Sequence, residues 1–199
     1  MMILPVVAVA VGLACSGNPT QAATIAHFDA QITNAEDGVY GASNGCCCRL
    51  VGGGHHIDEA LLVAAHLFPG RQLDRAEDQI AQQCRQEATV PQDLPLLLTT
   101  RLINSVYSYG NAAPETVPAA LALVDACQGD LQQAVLWANT IPKAADSLPA
   151  LVGALCGAHQ GAAVISPRWQ AQLNRCRGLC LPFVAGVQLD QIAQALSLL

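Results

Sequence analysis

Residues 147–161 read SLPALVGALCGAHQG, and this stretch opens with the signals of a helix start. Ser147 can accept a hydrogen bond from a backbone N–H of the first turn, and Pro149 loses nothing there because that N–H has no partner within a helix. The same combination of a capping residue and Pro recurs at Asn18-Pro19, Thr116-Val117-Pro118 and Ser166-Pro167. Four such signals in one chain predict an all-α fold.

The body of the same stretch carries Gly153, Gly157 and Gly161, which stand at every fourth position. A Gly inside a helix costs about 1 kcal/mol relative to Ala. Such a cost is usually offset by the close approach of another backbone. The pattern therefore predicts a central helix whose bare Gly face is packed tightly by its neighbours.

Apolar residues at helical spacing, separated by short loops, continue through the rest of the chain. They make up 52% of the sequence, mostly as Ala, Leu and Val, while aromatic residues make up 4%, so the alternation typical of sheets is scarce. We expect one helical domain over residues 1–199, because no long linker divides the chain. The predicted helices lie near 1–15, 19–34, 38–51, 57–67, 72–88, 93–108, 116–127, 130–139, 147–161, 167–176 and 188–198.

Charged residues make up only 12% of the sequence, and the net charge is −6. The few Lys and Arg residues are scattered and form no basic stripe that could neutralise a phosphate backbone. We therefore expect no binding of nucleic acid.

The chain has nine Cys residues, an odd number that leaves one thiol unpaired under any scheme of disulfides. Cys84, Cys127 and Cys156 stand on the apolar faces of predicted helices, where a free Cys usually acts as a small hydrophobic residue. We expect a reducing, cytoplasmic compartment.

The first fifteen residues are apolar and are open to two interpretations. They end in Gly12-Leu13-Ala14-Cys15, which resembles a signal-peptide or lipoprotein site, and this alternative predicts export. No Lys or Arg precedes the apolar run, however, and the first charged side chain is Asp29. The run is also too short to span a bilayer, so we expect no membrane span and favour a buried core helix.

Three stretches carry motifs that point to a family. The first runs from Glu115 to Trp169 and contains, in order, ETVPAAL, a Gly-Asp pair, GALCGA and ISPRW. The second, 32–42, holds Ile-Thr and then DGVYGA, and the third, 57–69, holds IDEAL and then LFP. Together these stretches resemble the ADP-ribosylglycohydrolase family, which also includes the J1 crystallins.

The resemblance implies a compact orthogonal bundle of helices around two Mg²⁺ ions. It also implies hydrolysis of the glycosidic bond between ADP-ribose and an acceptor, with an ADP-ribosylated substrate as the partner. In the family the ligands come from an N-terminal Thr-Asp-Asp cluster and a C-terminal Asp-x-Asp-Ser/Thr motif that precedes the Gly-rich helix. Such hard oxygen ligands suit Mg²⁺, and the two ions can orient the ribose and activate a water.

Two departures from the family pattern bear on activity. The Gly-rich helix aligns residues 144–147 with the Asp-x-Asp-Ser motif, so Asp146 and Ser147 are the candidate metal ligands, while Ala144 has no oxygen to offer. No Thr-Asp-Asp occurs in the 199 residues, and Met1–Pro5 resembles the interior of a family helix. We therefore expect an N-terminally incomplete family domain, with Mg²⁺ binding greatly weakened and no hydrolysis by the chain alone.

Two functions follow from this pattern. The first is that of a hydrolase that depends on a missing N-terminal half, in which case self-association or a partner chain should cover the missing part. The alternative is a non-catalytic helical binding or structural protein, exported if the first fifteen residues are a signal.

Asp146 and Ser147 also have an interpretation that needs no metal, because either can cap the helix that begins at Leu148. Cys176 and Cys180 lie four residues apart, so they could share one face of a helix and form a redox or metal pair. The same spacing is equally typical of two core residues.

Cys46–Cys48 with His55 and His56 could be imagined as a zinc site. Adjacent Cys residues on a helix point in different directions, however, and no Cys-x-x-Cys pair is present, so we do not favour zinc. His27 and His66 lie within apolar-patterned helices, which favours satisfied positions in or near the core.

Overall fold

The computed structural model describes residues 4–15, 18–35, 38–39, 41–42, 72–103, 105–106 and 112–197. Within these ranges the regular secondary structure is helical and there is no strand, which confirms the all-α prediction. The predicted helix 57–67 and most of 38–51 lie outside the described residues. The chain divides into two compact units, Met1–Gly161 and Ala162–Leu199, called here the first and second unit. The expectation of one domain stays a prediction.

Seven helices of the first unit lie within the described residues. They are α1 (Leu4–Ala14), α2 (Pro19–Thr33), α3 (Gln72–Glu87), α4 (Leu94–Arg101), α5 (Ala113–Ala126), α6 (Leu131–Asn139) and α7 (Leu148–Gln160). Helix α7 packs against α6, α5 and α1, and this confirms the prediction of a central helix in the stretch 147–161. Helix α3 packs against α5 and α4, and α1 packs against α2.

Helix α5 forms the most completely buried part of the first unit. Every residue from Ala113 to Ala120 is buried, and Ala119 and Ala120 are wholly inaccessible to solvent. Methyl side chains let the backbones of neighbouring helices approach closely. Arg85 of α3 adds a hydrogen-bonded ion pair, its Nε donating to Oδ2 of Asp125 at 2.9 Å, which ties α3 to α5.

A second cluster of small residues joins α1 to α2. Ala22, Ala26 and Ala30 recur every fourth residue along α2, which places them on one face of the helix, and they pack with Ala8 of α1. Gly41 also lies close to Ala113 of α5. A Cβ added at Gly41 would lie 2.5 Å from the Cβ of Ala113, so this position requires Gly.

Side-chain caps hold three of the helix starts. The backbone N–H of Gln21 donates to Oδ1 of Asn18 at 3.0 Å, and the N–H of Trp169 donates to Oγ of Ser166 at 3.3 Å. Both caps confirm the sequence interpretation. Asp130 caps α6 in the same way, accepting from the N–H of Gln133 at 2.8 Å.

The predicted cap at Thr116 is wrong. Helix α5 begins three residues earlier than predicted, at Ala113, so Pro114 occupies the first turn and Pro118 lies inside the helix. Thr116 is buried there, and its hydroxyl donates to the carbonyl of Ala112 at 2.9 Å. Helix α4 also differs from the prediction, since it ends at Arg101 and does not continue to 108.

The prediction of a tightly packed Gly face on α7 is largely wrong. Only Gly153 contacts a neighbour, because a Cβ there would lie 3.5 Å from Cγ2 of Val135 on α6. A Cβ at Gly157 would meet nothing within 4 Å among the residues that the structure describes. Gly161 follows the helix with a φ of 79°, a left-handed conformation that favours Gly and ends α7.

The second unit contains α8 (Pro167–Leu173) and α9 (Leu189–Leu196). The loop between them is closed by backbone hydrogen bonds from Leu189 N–H to the Asn174 carbonyl, 2.8 Å, and from Cys176 N–H to the Val187 carbonyl, 2.8 Å. Short 3₁₀ turns cover Ala162–Val164 and Pro182–Val184.

Leu98→Ala and Leu96→Ala form a matched pair that tests the packing of α4. Leu98 is fully buried, whereas Leu96 is 67% exposed two residues away. We expect Leu98→Ala to lower the free energy of unfolding by about 2–5 kcal/mol, since it removes buried methyl groups and leaves a cavity. Leu96→Ala should change it by less than about 0.5 kcal/mol. Urea denaturation measures both, and equal losses would contradict the packing described for α4.

Candidate functional site

The resemblance aligns the Asp-x-Asp-Ser motif with the turn between α6 and α7. Ile141 and Ala144 are completely buried within it. The carbonyl of Ala144 accepts hydrogen bonds from the N–H groups of Ser147, at 3.1 Å, and Leu148, at 2.8 Å, so its backbone leads directly into α7. Lys143 has a φ of 65°, a left-handed conformation that favours Gly, at the place where the resemblance implies a Gly-rich turn.

Asp146 and Ser147 lie side by side at the end of this turn. Asp146 is exposed and Ser147 is half-buried. The Ser147 hydroxyl donates to Oδ1 of Asp146 at 3.2 Å. Ser147 stands at the cap position of α7, but its side chain accepts no hydrogen bond from the first turn, so the interpretation of Ser147 as a side-chain cap is wrong. Their role as metal ligands stays a prediction.

The side chains of this turn fit a metal site poorly. At the position that the resemblance aligns with the first motif carboxylate, the chain has the methyl group of Ala144, which is buried in the core and cannot coordinate a cation. A pair of Mg²⁺ ions needs about half a dozen protein oxygens, and this turn offers those of Asp146 and Ser147. Across the part of the chain that the structure describes, no three His, Cys, Asp or Glu residues are grouped so as to hold a metal ion.

A group of buried polar side chains that the sequence pattern did not predict lies elsewhere in the first unit. Glu77 of α3 and Glu115 and Thr116 of α5 are each at most 1% exposed. The Ser105 hydroxyl lies 3.3 Å from both carboxylate oxygens of Glu77, and the N–H of Val106 donates to Oε1 of Glu115 at 3.3 Å. Buried carboxylates require hydrogen bonds, and the segment after α4 supplies them.

The periodicity of α3 contains the signal that could have revealed Glu77. Glu77, Ala81 and Cys84 are four and seven residues apart, so they share one helix face, and all three are buried. Glu115 gives no such signal, since every residue around it is buried and α5 shows no polar face there.

The three Cys residues predicted on apolar faces, Cys84, Cys127 and Cys156, are free and buried, as expected. Burial raises the pKa of the Cys127 thiol to about 11, with a smaller contribution from the charge of Asp130. Burial raises the pKa of the Cys156 thiol to about 12, and Cys127 and Asp130 add to that shift. Both thiols therefore stay protonated near neutral pH and are unsuited to act as nucleophiles.

The remaining candidates form no described site. Helix α8 ends at Leu173, so Cys176 and Cys180 lie in the loop that follows, and the prediction that they share a helix face is wrong. A ring nitrogen of His27 is hydrogen-bonded to the Gln31 amide at 3.0 Å, which fits a satisfied boundary residue. The imagined zinc site at Cys46–Cys48, His55 and His56 lies outside the described residues, as does His66.

None of the helices described is long and apolar enough to cross a membrane.

Comparison with known proteins gives one match. The family model described as ADP-ribosylglycohydrolase matches residues 2–199, nearly the whole chain. The sequence has no significant match among the curated proteins or the solved structures.

Ser105→Ala tests the hydrogen bonds to the buried carboxylate of Glu77. We expect the free energy of unfolding to fall by about 1 kcal/mol, because the variant removes a donor to a buried acceptor. Ser197→Ala is the control, since that hydroxyl donates to the Gln194 carbonyl at an exposed position and should contribute little. A loss no larger than that of the control would show that the Ser105 hydroxyl does not stabilise the cluster.

Thiol alkylation tests the protection of the buried Cys residues. In the native protein at about pH 8, iodoacetamide should modify the exposed Cys180, while Cys127 and Cys156 react far more slowly because little thiolate forms below their raised pKa values. Peptide mass mapping locates the modified residues. Protein unfolded in urea is the control and should react at all three. Rapid native modification of Cys156 would contradict the packing described for α5 and α7.

Proposed function

This chain belongs to the ADP-ribosylglycohydrolase family, and from that premise we propose that it is a non-hydrolysing member whose metal motif no longer binds Mg²⁺. The proposal makes it a helical binding or structural protein that keeps the family's framework. The residue that carries the proposal is Ala144.

Ala144 stands where the family motif has its first carboxylate, and its methyl group is completely buried. A metal ligand at this position must offer an oxygen to a cation, and a methyl group cannot do so. A carboxylate buried here without a metal would carry an uncompensated charge in an apolar core. The position therefore serves packing in this chain and supports a loss of metal binding.

The other oxygens of the motif do not compensate for that loss. The Ser147 hydroxyl donates a hydrogen bond to Asp146. Asp146 is also exposed, so water competes with any cation for the Asp146 carboxylate. Two neighbouring side chains are well short of what a pair of Mg²⁺ ions requires.

Substitution of Ala144 and its neighbour gives a matched test. We expect Ala144→Asp to lower the free energy of unfolding by about 3–5 kcal/mol, because it buries an unpaired charge. Ala145→Asp, at the exposed adjacent position, should change it by less than about 0.5 kcal/mol. Added Mg²⁺ should rescue neither variant, as measured by thermal unfolding with and without the ion.

The same proteins are assayed for metal binding and hydrolysis. Calorimetric titration of the unmodified chain with Mg²⁺ should show no saturable binding at micromolar to millimolar concentration, and an ADP-ribosyl-arginine substrate should remain uncleaved. Mg²⁺-dependent release of ADP-ribose would overturn the proposal. Stabilisation of Ala144→Asp by Mg²⁺, absent in Ala145→Asp, would instead reveal that other ligands of the site are still in place.

A further inference from the structure

We draw no further inference here: the strongest candidate, the exposed apolar face that Ile25, Phe28 and Ile32 form along α2 of the first unit, carries no proposal because nothing in the structure shows what covers it.

Discussion

The close packing of α5 against its neighbours is the constraint on which the rest of the first unit depends. Its N-terminal half is buried on all sides, and small side chains such as Ala119 and Ala120 lose no rotamer freedom when they are enclosed. The same enclosure carries Glu115 into the core. A carboxylate in that position must be hydrogen-bonded, and the N–H of Val106 meets part of the requirement. Ser105 and Val106, which follow α4, thus supply hydrogen bonds to carboxylates inside an apolar core.

The turn before α7 supports the helical framework without using a side-chain carboxylate at Ala144. Ala144 contributes a buried methyl group to the core and a carbonyl that accepts the first N–H groups of α7. Neither contribution needs a carboxylate. Lys143 has a left-handed backbone conformation that is suited to Gly and costs about 1–2 kcal/mol. The contributions of Ala144 to the fold are therefore a buried methyl group and backbone hydrogen bonds.

Side-chain caps at helix starts depend on neighbouring residues, so they can be recognised from the sequence. Asn18, Ser166 and Asp130 cap their helices because a side-chain oxygen a few bonds away satisfies an orphan N–H whatever the surroundings. The predicted cap at Thr116 was wrong because Pro114 also suits a first helical turn. Helix α5 begins there, at Ala113, and its first residues are buried. The role of Gly157 was equally hidden, since the spacing of Gly residues cannot tell which helix face a neighbour will cover. Ser147 has the sequence of a cap, yet its hydroxyl bonds to Asp146.

The sequence by itself determined the helical class, the approximate positions of most described helices and the family, because caps, periodicity and motif order are all properties of neighbouring residues. It also showed that Ala144 has no side-chain oxygen at the position that the resemblance aligns with the first motif carboxylate. Only the tertiary structure decided that Ala144 is part of the core and that Glu77 and Glu115 are buried. Those properties depend on which distant segments meet, and burial is a sum over the whole fold that no local pattern contains.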